Sequence, residues 1–284
     1  MSLHIITDST CDLPERELAA LDVRRVALTV NFQGRNWVDW EEITPADIIR
    51  GVEGGADLPT TSQPSPEAFA SAYREAAAAG ATEILVVTIS SHLSGTFQSA
   101  SLAAADASVL VEVFDSKAAS IGIAHLVRRA AELRDAGSDV QQILPSLESI
   151  RSTLVPFFSV AGLEFLQKGG RLGRAAAVIG NLLNLKPILS VTDGKITAEG
   201  RARGMKRAVA EVVSLAAARV AELPGRPYMD FLHVQDPEAA GQVKEAIDAA
   251  GIDYAGGGIY EIGAVIASHT GPGTCGVYLH GLEP

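Results

Sequence analysis

Ile84-Leu85-Val86-Val87-Thr88-Ile89-Ser90-Ser91-His92-Leu93-Ser94-Gly95-Thr96-Phe97-Gln98-Ser99-Ala100 decides the fold class. Its first six residues are apolar but for one threonine and do not alternate. That pattern fits a strand buried on both faces of a parallel sheet. A hydroxyl-rich turn with one glycine follows, then a helical stretch over 95–105. The same order recurs on either side. Residues 3–7 form an apolar run ending at Asp8-Ser9-Thr10, and 109–114 form another ending at Asp115-Ser116, with a helix expected over 117–136. Ser65-Pro66-Glu67 opens a further helix that stops at Gly80: a serine cap, proline in the first turn, an acid beside it. Strands alternating with helices mean βαβ units. The expected class is α/β, an N-terminal three-layer domain around a mostly parallel sheet.

Past Pro156 the pattern changes. Residues 157–160 read as a strand, and 187–191 and 195–198 as a hairpin around Asp193-Gly194. An amphipathic helix is expected over 204–222, a strand over 228–234 and a helix over 237–250. Residues 264–269 and 275–280 are expected to form a strand pair. We therefore place a boundary near residue 155, with an α/β domain over 1–155 and an α+β domain over 156–284, and a ligand between them.

Composition narrows the function classes. The chain has 284 residues, 47% of them apolar, and a net charge of −11, which disfavours nucleic acid as a partner. Two cysteines are too few for a disulfide framework or a cysteine-based zinc site. No apolar run is long enough to span a bilayer, and Met1-Ser2-Leu3-His4 carries no basic leader. The expectation is a cytoplasmic protein without stable membrane insertion. No P-loop, GxSxG or HExxH motif occurs. Gly271, Gly273 and Gly276 spell GxGxxG, but a strand follows them rather than a helix, so no dinucleotide site is read there.

Groups able to hold an anion are present instead. Ligands of open parallel sheets bind at the carboxyl ends of strands, and three such ends here carry Ser, Thr or Asp. Capping explains any one of them; Ser94-Gly95-Thr96 says more, because glycine lets a ligand approach the backbone and a helix N-terminus offers free N–H groups. Thr60-Thr61-Ser62-Gln63-Pro64 is a second hydroxyl cluster, and His269 joins a glycine loop. Nine basic residues between Lys168 and Arg207 face only Asp193 and Glu199, a +7 island on a remainder of −18. Such an island suits an anionic ligand or an acidic partner surface, unless folding spreads it over several faces.

These segments, in this order, resemble the DegV family: Ile6-Thr7-Asp8-Ser9-Thr10 with Asp12-Leu13-Pro14, Thr61-Ser62-Gln63-Pro64-Ser65, Ser90 through Ala100, Gly169-Gly170-Arg171-Leu172, Leu185-Lys186-Pro187-Ile188-Leu189, and His269-Thr270-Gly271-Pro272-Gly273. The resemblance implies a two-domain α/β protein that binds a long-chain fatty acid of the palmitate or oleate class, with no other cofactor. It implies that Thr61 and Ser94 hold the carboxylate, with Ser62, Gly95 and His269 beside them. It also implies a separate ATP-dependent kinase subunit that makes an acyl phosphate, with Arg171 and Arg203 on the side of that partner and of phosphoryl transfer.

The physics agrees with that implication. A C16 chain carries about fifteen methylene or methyl groups worth roughly 0.8 kcal/mol each on burial. Apolar contact can therefore hold the ligand, and the cost lies in the carboxylate, which needs hydrogen-bond donors. Residues 161–166 and 178–185 are candidate walls. Two other readings stand beside this one. One is a hydrolase or transferase using Ser94 with His269; the other is a small-anion binder using the basic island alone.

Overall fold

The computed structural model describes residues 2–173 and 185–281. The chain begins with β1 (Leu3–Asp8), a single 3-10 turn at Ser9–Cys11, α1 (Glu15–Ala20) and β2 (Val23–Val26). A small antiparallel excursion follows: β3 (Thr29–Phe32), β4 (Arg35–Val38), α2 (Pro45–Glu53) and β5 (Thr60–Ser62). Then come α3 (Pro66–Ala78), β6 (Glu83–Thr88), α4 (Thr96–Ala104), β7 (Leu110–Asp115), α5 (Ile121–Asp135) and α6 (Val140–Thr153). The rest comprises β8 (Val155–Ser159), α7 (Glu164–Lys168), the hairpin β9 (Lys186–Thr192) and β10 (Lys195–Ala202), a helix at Met205–Val220, β11 (Pro227–His233), a helix at Pro237–Ala249, β12 (Ala255–Glu261), a helix at Ala264–Thr270 and β13 (Cys275–Gly281).

Three sheets result, in the orders β2-β1-β6-β7, β4-β3-β5 and β10-β9-β8-β13-β11-β12. The first is wholly parallel, as the unbroken apolar runs require. One of its faces packs on α3 and α4 through Ile6, Ile84 and Val86 against Phe69, Tyr73 and Ala100. Its other face packs on α5 and α6, and the same core continues into Phe158, Leu189 and Tyr278 of the six-stranded sheet. Every residue of α5 from Ile121 to Val127 is buried, which is what a helix held between two sheets demands. The far face of the six-stranded sheet is covered by Met205–Val220 and Pro237–Ala249.

Local signals account for many of the element ends. Ser65 caps α3 by accepting from Ala68 N–H, with Pro66 at the first helical position. Thr44 and Asp47 form a reciprocal capping box on α2, and Asp139 and Gln142 another on α6. The β9–β10 turn places Asp193 at φ +49° and Gly194 at φ +77°, the two positive angles of a hairpin turn matched to strand twist.

Two expectations are corrected. Residues 264–269 are a helix, not a strand, and β13 pairs with β11 and β8 instead. Ala264 and Val265 of that helix pack on Leu28, Val30 and Ile48 of the small sheet and α2, and Gly271 at φ +76° ends it. The helix expected over 117–136 begins only at Ile121, because Lys117 and Ser120 adopt positive φ angles of 50° and 54°. The three-stranded sheet, whose strands are three or four residues long, has no counterpart in the sequence reading.

Candidate functional site

The carboxyl ends of β1, β6 and β7 do meet at one edge, but most of their polar groups bind each other. Asp8 accepts from Thr10 N–H at 2.9 Å and from Ile89 N–H at 2.7 Å. Asp115 accepts from Ser91 N–H at 3.1 Å and from Ser91 Oγ–H at 2.6 Å. Ser90 Oγ donates to Gly194 O at 2.8 Å, which docks the β9–β10 turn against this edge. Of these three, Asp8 caps the turn that follows it, as the capping reading expects, whereas Asp115 and Ser90 bind a neighbouring strand end and the hairpin turn. Ser94 is different: among the described residues its hydroxyl pairs only with Thr96, at 2.8 Å, and it lines a cavity.

That cavity lies between the edge of the parallel sheet, the small sheet with the Ala264–Thr270 helix, and the β8, β9, β10 and β13 strands. Ile89, Leu93, Phe158, Leu166, Ile196 and Ile266 are among its apolar walls. Its volume is about 80 Å³, room for a handful of waters. Of the expected wall residues 161–166, Leu166 faces the cavity; residues 178–184 lie outside the described residues.

Thr61, Ser94, Arg171 and His269 all line this one space, although they lie far apart in the chain. Thr61 Oγ1 and His269 Nε2 are 2.8 Å apart. β5 presents Thr61, and the last turn of the Ala264–Thr270 helix presents His269. Burial, with the Arg171 cation as the lesser cause, pushes the His269 pKa down to about 4, so the ring is neutral at pH 7. Its Nδ1 is buried and has no hydrogen-bond partner among the described residues. Gly169 stands directly behind it: a Cβ there would lie 2.2 Å from Nδ1. Arg171 is fixed by two backbone carbonyls, Nε donating to Leu93 O at 3.0 Å and Nη1 to Gly169 O at 2.5 Å. These four residues bring two hydroxyls, a neutral imidazole and one guanidinium to the cavity wall.

The other candidates sit elsewhere. Ser62 is exposed and accepts from Asn31 Nδ2 at 3.1 Å, because neighbouring side chains of a strand point to opposite faces. Gly95 is the N-cap of α4, and its carbonyl accepts from Gln63 Nε2 at 3.2 Å. It borders an outer groove that also holds Ser94, Arg171 and Lys195. Arg203 is exposed just beyond β10 and does not line the cavity. Arg174 lies outside the described residues. Sequence reasoning missed Ser120 and Tyr278 on the cavity wall, whose residues carry no motif of their own. Among the described residues no group of three or more His, Cys, Asp or Glu side chains could hold a metal ion. No described helix is long and apolar enough to cross a membrane.

Comparison with known proteins bears on this arrangement. A solved structure reported as "Fatty Acid Binding of a DegV family Protein from Thermus thermophilus" superposes with a TM-score of 0.94 at 46% identity, covering 99% of this chain and 100% of that one. A stearic acid-binding protein from Eubacterium ventriosum superposes at 0.89 and 28% identity, covering 98% of each chain. A DegV domain-containing protein of Deinococcus radiodurans is 40% identical over 283 residues, 100% of both chains. The model of a family described as DegV, an uncharacterised protein family, matches residues 2–281. With its segments in the expected order and its fold shared throughout, the chain belongs to the DegV family.

Proposed function

We propose that this protein binds a long-chain fatty acid in the cavity, with the carboxylate at the Thr61, Ser94 and His269 end and the acyl chain between the apolar walls. The observation that carries the reading is the Thr61–His269 pair on the wall of a mostly apolar cavity. With His269 neutral and Nε2 donating to the Thr61 oxygen, the threonine hydroxyl hydrogen is left for an incoming carboxylate. In the other tautomer that hydrogen is consumed by the ring, and a buried Nδ1–H has no acceptor. Arg171 adds the one cation among the described lining residues, which favours an ionised headgroup over a neutral one. That relatives are described as binding fatty acids, stearic acid in one case, supports the assignment.

The finer reading is a two-domain carrier, divided near residue 155, that works in the cytoplasm without a further cofactor. It presents its ligand to a separate ATP-dependent kinase, with Arg171 and the exposed Arg203 on the partner's side. Ser94 as a nucleophile is the less favoured reading. His269 Nε2 binds Thr61 rather than Ser94, and no acid orients its Nδ1.

Protein made in bacteria, extracted under denaturing conditions and analysed by mass spectrometry, is expected to release a long-chain fatty acid. Material that carries no lipid and takes up neither palmitate nor oleate would overturn the reading.

A further inference from the structure

The helix that carries His269 is only seven residues long, too short to hold itself together, and its N-cap, Gly263, has no side chain with which to cap it. The cap comes from far away in the chain. Gly263 N–H donates to Asp12 Oδ1 at 2.9 Å, and Val265 N–H donates to Asp39 Oδ1 at 3.3 Å. Both carboxylates are buried, at 1% and 0% exposure. Their backbones are fixed independently: Asp12 closes the Ser9–Cys11 turn, and Asp39 N–H donates to Leu28 O at 3.0 Å. The fit leaves no slack, since a Cβ on Gly263 would lie 2.5 Å from Trp40 Nε1 and 2.7 Å from Asp12 Oδ1. Asp12 and Trp40 hold positive φ angles of 56° and 66°, strain that the surrounding contacts must maintain.

We propose that Asp12 and Asp39 are positioning residues for His269: they grip the first turn of its helix and so set the ring against Thr61. The functional consequence rests on the fatty-acid reading; the positioning does not. The small sheet that bears Thr61 packs on the same helix through Val30, with Leu28 just ahead of the strand, against Ala264 and Val265. Gripping the helix therefore fixes both partners of the Thr61–His269 pair relative to each other. Two buried carboxylates are a costly way to cap one short helix, because burial disfavours their ionised form. The charged groups acting on them are Asp8 and Arg25, and among the described residues Asp12 Oδ2 and Asp39 Oδ2 stay buried without a hydrogen-bond partner. The charged group that acts on His269 is Arg171.

The test is a histidine NMR titration of the delipidated full chain. Wild-type His269 is expected to stay neutral down to about pH 4. In Asp12→Ala and Asp39→Ala the helix slips and the ring meets water, so its pKa climbs by about one unit or more toward the ordinary 6.5. Burial holds both aspartates toward the neutral form where His269 titrates, so their removal takes away little charge and a rise reports release of the ring. Asp12→Asn and Asp39→Asn keep an accepting oxygen and should hold the wild-type value. Gly263→Ala keeps both carboxylates but pushes the helix off them, and should raise the pKa even if the alanine variants do not fold. An unmoved His269 in the alanine and Gly263→Ala variants, or asparagine variants that shift as far as alanine, would overturn the proposal. A second readout compares oleate with oleyl alcohol. The alanine variants should lose oleate affinity about fivefold or more and leave the alcohol nearly unchanged; equal losses for both would also overturn it. Wild-type protein that ignores oleate would sink the fatty-acid reading while leaving the titration result standing.

Discussion

Gly169 shows why glycine stands in Gly-Gly-Arg-Leu: its missing side chain is the space that His269 Nδ1 occupies. Its backbone is not in the left-handed region, so alanine is permitted there and acts only by displacing the ring. We expect Gly169→Ala to fold normally and to weaken oleate binding about tenfold, measured by displacement of a fluorescent fatty acid. Thr61→Val keeps the shape and removes the hydroxyl, and a loss of about 1–2 kcal/mol of binding free energy is expected. An unchanged affinity in both variants would remove the carboxylate from this end of the cavity. At this scale the site was partly legible. Thr61, Ser94, Arg171 and His269 were named from their motifs, and they share one cavity. Ser62 was named for its neighbour's sake, and strand alternation turns it outward. The pairing of Thr61 with His269 spans 208 residues, a relation that no local pattern encodes.

Among the elements, the β9–β10 hairpin was readable because Asp-Gly demands one turn type and few sequences offer it. That turn also reaches across the molecule to Ser90, and a Cβ on Gly194 would lie 2.3 Å from Ser90 Oγ. Gly194→Ala combines that clash with a left-handed backbone, so a destabilisation of about 2–3 kcal/mol is expected in a denaturant titration. A loss below about 0.5 kcal/mol would mean that the turn does not press on the strand end as described. The His269 helix was misread for a physical reason. Ala-Val-Ile-Ala carries as much strand character as helix character, and the groups that start the helix come from Asp12 and Asp39 instead of its own flank. The small sheet escaped notice because its strands are short and half exposed, so it shows no apolar run.

For the whole molecule, pH sets opposing histidine and aspartate effects against each other. Burial, with His125 as a lesser cause, pushes His280 down to about 4. The unfolded chain then takes up a proton near pH 6.5 that the folded chain refuses. Stability that is full above that pH is lost as pH falls toward 4, by at most about 3 kcal/mol for this residue. Asp39 works the other way. Burial raises it to about 6, so the folded chain gains stability as pH drops through that value. His280→Asn is therefore expected to lose about 2–3 kcal/mol less than wild type between pH 7 and pH 4.5, followed by urea unfolding. Equal losses in the two proteins would show that the ring is not held neutral. Ligand should shift the same balance upward, since oleate at a hundred times its Kd adds about 2.7 kcal/mol.

The placement of α5 has a consequence for traffic. Because that helix is packed into both large sheets at once, the sheets cannot swing apart like jaws without breaking their common interior. A lipid held in the cavity would leave instead by small, concerted side-chain excursions. Release should then be slow and steeply temperature-dependent, and hand-over to another protein would require that protein to prise the exit open.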